Sequence, residues 1–133
     1  MATKYTFEAA PRNKNGWAEF HLRSIARQKE IVDVVLYGDS IIKNYRENWT
    51  KAFGKMCMNF GFGGDGIENV LYRVEYGVIP SCVRTVIVHV GTNNLSRASS
   101  KKVANGIHQI CRAINKYRTD VDIVIAGILP GKG

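Results

Sequence analysis

The stretch Val34-Val35-Leu36-Tyr37-Gly38-Asp39-Ser40-Ile41-Ile42 decides the fold. An apolar run rich in β-branched residues ends in Gly-Asp-Ser and passes at once into a helix-like pattern. The run does not alternate apolar with polar residues, so it reads as a parallel strand buried on both faces. Gly38 permits a sharp turn, and Ser40 falls at the mouth of the following helix. There, free backbone N–H groups and the helix dipole favour negative charge. A serine in that place can be a plain N-cap, so its meaning depends on the other strand ends.

Downstream, Ile41, Tyr45, Trp49 and Phe53 recur every four residues, which is one face of an amphipathic helix. Met56 to Phe60 is a short second strand, followed by the loop Gly61-Phe62-Gly63-Gly64-Asp65-Gly66. Ile67, Val70, Leu71 and Val74 mark a second helical face, stopped by Gly77 and Pro80. Val83 to Val90 is a third strand with the exit loop Gly91-Thr92-Asn93-Asn94. Ser99 or Ser100 caps a third helix with the stripe Val103, Ile107, Ile110, Ile114 and Tyr117, and Ile123 to Leu129 is a fourth strand. Strand and helix alternate throughout, which predicts a parallel sheet with helices on both faces and right-handed crossovers. In such sheets ligands sit outside the carboxyl ends of the strands.

Upstream, residues 1–16 read as an extended lead-in broken by Pro11, Asn13, Asn15 and Gly16, and Trp17, Phe20 and Ile25 share one side of a short helix. The expected division is a lead-in with a short helix over 1–30 and one α/β domain over 31–133. A chain of 133 residues with 45% hydrophobic content suits a single globular core. No apolar run approaches a membrane span, and Met1 to Glu8 lacks a signal peptide's apolar core. Cys57, Cys82 and Cys111 match no metal or redox spacing and fit a reducing, cytoplasmic setting. The net charge of +8 raises a nucleic-acid reading. Its basic residues are scattered, apart from the third helix with Lys101, Lys102, Arg112, Lys116 and Arg118. That helix reads as a solvated face rather than a binding patch, so only weak, nonspecific nucleic-acid binding is expected.

The first three strands each end in a small or polar cluster, and together the clusters suggest acyl transfer. Ser40 offers a nucleophilic hydroxyl. Gly64 lets a backbone N–H approach a substrate oxygen closely, and Asn93 offers a side-chain amide. With the N–H of Ser40 these make three donors for the oxyanion of a tetrahedral intermediate. Taken singly, each has a plain alternative: an N-cap, a turn glycine, a loop-stabilising asparagine.

Gly38-Asp39-Ser40, Asn59-Phe60-Gly61-Phe62-Gly63-Gly64-Asp65 and Val90-Gly91-Thr92-Asn93-Asn94 resemble the first three blocks of the SGNH (GDSL) hydrolases. Within them the resemblance is to the catalytic subunits of cytosolic platelet-activating-factor acetylhydrolase and related invertebrate esterase-like proteins. Val70 to Glu75, Ala104-Asn105-Gly106-Ile107 and Gly127-Ile128-Leu129-Pro130 extend it over about Asp33 to Pro130. The resemblance implies a flavodoxin-like three-layer α/β/α sandwich with strand order 2-1-3-4. It implies Ser40 as nucleophile, an oxyanion hole from Ser40, Gly64 and Asn93, and Asp39 and Asp65 in support. Short acyl or acetyl esters are the implied substrates, with no metal and no organic cofactor. Family members pair as dimers, which makes a homodimer a candidate assembly.

One departure is serious. The family's Asp-x-x-His follows a fifth strand, and no Asp-x-x-His occurs in these 133 residues. A serine at its free pKa is a weak nucleophile and needs an adjacent base. His89 lies inside the third strand, His108 on the third helix and His21 in the lead-in, and none is an obvious substitute. The expectation is an esterase domain truncated after the fourth strand, with its fifth strand missing and little activity of its own. Two other classes stay open. One is a catalytically dead binding module on the same fold. The other is dinucleotide binding, because Gly61 to Gly66 spells G-x-G-x-x-G between a strand and a helix. That fingerprint belongs on the first strand of its unit, however, and the acidic residue expected to end the next strand is absent.

Overall fold

The computed structural model describes residues 4–27, 31–39, 57–77 and 79–126. Ser40, the expected helix of Ile41, Tyr45, Trp49 and Phe53, and the expected end of the fourth strand at Leu129 lie outside the described residues. In chain order the elements are α1 (Trp17–Ala26), β1 (Val34–Gly38), β2 (Cys57–Gly61), α2 (Ile67–Glu75) and β3 (Thr85–His89). A single 3₁₀ turn (Thr92–Asn94), α3 (Ser100–Tyr117) and β4 (Asp122–Ile125) follow. The strands form one parallel sheet in the order β2-β1-β3-β4, as the resemblance implies.

β1 is the centre of that sheet, and all five of its residues are buried. Val35 and Tyr37 face one side with Met58, Phe60, Val86 and Val88. They pack against Ile67, Val70, Leu71 and Val74 of α2 and Val103, Ile110, Ala113 and Ile114 of α3. Val34, Leu36 and Ile87 turn to the other side and are buried there. A run of large apolar residues without alternation is what a strand covered on both faces needs. β4 is different: Val124 and Ile125 are 48% and 46% exposed, which marks it as an edge of the sheet formed by the described residues.

The helix signals are read locally. Ser99 is the α3 cap, its side chain accepting from the Lys102 N–H at 3.1 Å. Tyr117 departs from its expected place on the inner stripe. It is half exposed, and its hydroxyl donates to Glu75 Oε2 at 2.8 Å. A phenol at the last turn of a helix can reach a surface carboxylate, and the hydrogen bond outweighs burial of the ring edge.

The lead-in is strapped along the helices. Gln109 brackets Phe7, accepting from its N–H at 2.8 Å and donating to its carbonyl at 3.0 Å. The Ala10 N–H donates to Glu68 O, and Asn69 Nδ2 to Ala10 O. A Cβ at Gly106 would lie 2.6 Å from the Phe7 ring, so this glycine makes the groove in which the ring sits. Lys101 and Lys102 of the basic helix lie over the rings of Tyr5 and Phe7, at 4.5 and 4.7 Å.

Candidate active site

The register brings three loop exits to one edge of the sheet. Gly38 stands opposite Gly61 on one side and His89 on the other. Asp39 follows Gly38, 2% exposed, and its N–H donates to His89 O at 3.3 Å. The residue before Ser40 is therefore held at the seam between β1 and β3. The Phe62 N–H reaches back to Gly38 O at 3.0 Å, so the β2 exit leaves beside the β1 exit.

The glycine-rich loop turns at Gly64, whose φ of +85° is a left-handed conformation that side chains rarely adopt. The Asp65 N–H then closes on Phe62 O at 3.1 Å. Asn93, on the 3₁₀ turn after β3, donates from Nδ2 to Asp65 O at 3.0 Å. Gly64 and Asn93, singled out on different loops, are thus neighbours, joined through the backbone of Asp65. Among the described residues no hydrogen bond uses the Gly64 N–H, and one hydrogen of the Asn93 amide is left over.

Asn94, one residue on, fixes the same junction from below and is fully buried. Its Oδ1 accepts from the Ile67 N–H at 2.9 Å, and its Nδ2 donates to Glu68 Oε2 at 2.8 Å. Asn69 Oδ1 takes the Gly66 N–H at 2.9 Å. The N-terminus of α2 is therefore capped from within the protein. The Glu68 carboxylate also occupies the space over Gly66, 2.7 Å from where a Cβ would stand. A dinucleotide's pyrophosphate needs those N–H groups free and that space clear, so the G-x-G-x-x-G reading is not supported by this loop. Burial pushes the Glu68 carboxyl up, but its own N–H, Arg97 and Asn94 together hold it below the usual range.

Asp65 is the buried anchor of the loop. Its side chain is fully enclosed, with Oδ1 accepting from Trp17 Nε1 at 2.9 Å and Arg12 Nη1 at 3.3 Å, and Oδ2 3.1 Å from Arg73 Nη2. Burial pushes the Asp65 carboxyl up, while Arg73, Trp17 and Arg12 pull it back towards the charged form. Arg73 is itself buried; Nη1 donates to Phe60 O at the end of β2, and the guanidinium lies over the rings of Phe20 and Tyr37. Burial also pushes the Tyr37 phenol up to about 12, against the pull of Arg73. The sequence flagged Asp65 but none of its partners. Arg12 and Trp17 lie in the expected lead-in, and Arg73 lies in the Val70 to Glu75 stretch of the resemblance, which assigns it no role.

The three histidines stand in different settings. His89 is buried on β3, with no hydrogen bond to Nε2 among the described residues. His108 is exposed on α3. His21 is buried, stacked on Trp17 with centroids 5.7 Å apart and tilted against Tyr72. Burial first and the charge of Arg73 second lower its pKa. No cluster of metal-binding side chains occurs among the described residues, and no helix among them is long and apolar enough to cross a membrane.

The chain matches no protein-family model. It is 35% identical over 119 residues to platelet-activating factor acetylhydrolase IB subunit alpha1 of Rattus norvegicus, covering 86% of this chain and 51% of that protein. The beta-subunit homolog of Drosophila melanogaster is 35% identical over 120 residues, with 86% and 52% covered. Among solved structures, a candidate platelet activating factor from Streptococcus pneumonia superposes with a TM-score of 0.73 at 18% identity, over 85% of this chain and 55% of that one. A candidate acylhydrolase from Bacteroides fragilis gives a TM-score of 0.62 at 19% identity, over 84% and 58%. The fold is that of these structures, a parallel sheet flanked by helices. The chain spans about half the length of the curated relatives it matches. By sequence, this chain is similar to the platelet-activating factor acetylhydrolase IB subunits over about half of their length.

Proposed function

We propose that this chain carries the nucleophile and oxyanion side of a serine esterase site acting on short acyl, acetyl-like esters. Ser40 attacks the ester carbonyl. The N–H groups of Ser40 and Gly64 and the Asn93 amide receive the oxyanion that forms. Asp39 and Asp65 support the site, Asp65 by anchoring the loop that carries Gly64. The observation that carries this reading is the Asn93-to-Asp65 hydrogen bond. It draws the third motif onto the second, beside the strand end from which Ser40 follows. The likeness to acetylhydrolase subunits supports the reaction class.

The general base is the absent part, since no Asp-x-x-His occurs in the sequence. The 133-residue chain is therefore nearly inactive alone, at the residual ~10³–10⁴-fold acceleration over water that donors and binding leave when a triad member is lost. Joined to the C-terminal segment of a curated relative, it turns over p-nitrophenyl acetate through Ser40. The assay compares the chain, the extended chain and the extended chain with Ser40→Ala. Turnover that survives Ser40→Ala refutes the nucleophile. Strong turnover by the short chain, lost in its own Ser40→Ala variant, shows that another residue serves as base.

A second reading is a catalytically dead binding module that keeps the pocket without chemistry. An extended chain that binds acyl esters but never reacts at Ser40 is its signature. The positive charge adds only weak, salt-sensitive nucleic-acid binding in either case.

A further inference from the structure

We propose that Arg12, in the lead-in, is a positioning residue that sets the direction of the Gly64 N–H. The inference rests on the esterase reading only for its kinetic consequence; the structural claim stands apart from it. The peptide between Gly63 and Gly64 has no Cβ on either side, so a half-turn of its plane meets little steric resistance. Such a flip exchanges the sides on which the carbonyl and the N–H point. Something other than sterics must select one orientation.

Arg12 is placed to do so. From fifty-one residues upstream, its Nη1 donates to Gly63 O at 2.7 Å. The same nitrogen lies 3.3 Å from Asp65 Oδ1, so a buried carboxylate holds the guanidinium in place. Its Nη2 lies 2.5 Å from where a Cβ of Gly64 would be, which puts the arginine head where a side chain would otherwise sit. The ring of Phe62 lies 6.0 Å from the guanidinium carbon. No peptide bond among the described residues is cis. In a trans peptide the C=O and N–H are antiparallel, so anchoring Gly63 O towards Arg12 aims the Gly64 N–H away from it. Among the described residues that N–H has no acceptor. A charged donor on the carbonyl also polarises the peptide and strengthens its N–H as a donor. Arg12 therefore orients and sharpens one oxyanion donor without touching substrate.

The test has two arms. In the first, the ¹⁵N–H dipolar coupling and hydrogen-exchange rate of Gly64 are measured by NMR in the 133-residue chain, in Arg12→Met and in Arg12→Lys. Met keeps the stem over Phe62 but has no donor, and Lys keeps a charged donor. The Gly64 coupling is expected to change and its exchange to quicken in Arg12→Met, and both to stay near wild type in Arg12→Lys. Unchanged values in Arg12→Met overturn the proposal. If Arg12→Met does not fold, the lysine variant decides: a Gly64 coupling far from wild type in a folded Arg12→Lys overturns it, and a retained coupling supports it.

In the second arm, the extended chain is assayed with the same variants. Arg12→Met is expected to lower kcat by ~10–100-fold with KM unchanged, short of the ~10²–10³-fold cost of deleting an oxyanion donor outright. Arg12→Lys is expected to recover most of it. A rise in KM at constant kcat places Arg12 in substrate binding and overturns the positioning role. An extended wild type without Ser40-dependent turnover counts against the esterase reading, and the Gly64 measurements still judge Arg12.

Discussion

Replacing Arg73 by methionine is expected to cost this fold more than any other single change at the site. The guanidinium is fully buried and makes three kinds of contact at once. It donates to Phe60 O at the end of β2, lies 3.1 Å from Asp65 Oδ2, and sits over the rings of Phe20 and Tyr37. Methionine fills much of the same volume, so the loss is mainly electrostatic. Among the described residues it leaves Asp65 enclosed with only the Trp17 N–H as a hydrogen-bond donor and the partly exposed Arg12 as a cation. Removing one partner of a buried ion pair costs about 3–5 kcal/mol. With roughly 2.1 cal/mol/K of unfolding entropy per residue over 133 residues, that lowers Tm by about 10–18 °C. Adding Asp65→Asn removes the stranded charge while keeping an acceptor for Trp17. The double variant should then be more stable than Arg73→Met alone, with a coupling of about 0.5–3 kcal/mol across the cycle. Urea titrations followed by circular dichroism measure all four corners. An Arg73→Met midpoint within about 1 kcal/mol of wild type at unchanged m-value would refute the reasoning, because an enclosed carboxylate cannot lose its main cation so cheaply.

Two further outcomes follow from packing and charge. Gly106→Ala is expected to displace the Phe7 ring, since the new methyl group would lie 2.6 Å from it and 2.9 Å from Ile67 Cγ2. Overpacking of this kind costs about 1–3 kcal/mol, and faster exchange of the Phe7 N–H on Gln109 reports it; unchanged exchange rejects it. His21 has its pKa lowered from 6.5 by burial and by Arg73, so the unfolded chain takes up its proton first on acidification. Its contribution is present above about pH 6.5 and lost as pH falls through the lowered folded value. His21→Phe, which keeps the stack on Trp17, should flatten the fall in Tm between neutral pH and about pH 5, and an unchanged slope counts against it.

What the sequence determined on its own is the frame. Val34 to Gly38 is apolar without alternation, and only a strand covered on both faces requires that. The 3.6-residue stripes of α2 and α3 and the Ser99 cap depend on neighbours within a turn or two, so the chain spells them out. The small and polar clusters after the first three strands mark the sheet's carboxyl edge for the same reason.

The tertiary structure decided what holds that edge in place. Trp17, Arg12 and Arg73 meet on Asp65 from separate segments. Nothing local distinguishes Arg73 from a cation on a solvated helix face, or Arg12 from any polar residue in a lead-in. Tyr117 looked like core by its spacing and found Glu75 at the surface instead. Period and composition show which residues can be buried. Which charges are buried depends on whether partners distant in the chain arrive at hydrogen-bonding distance to offset desolvation, and folding alone brings them there.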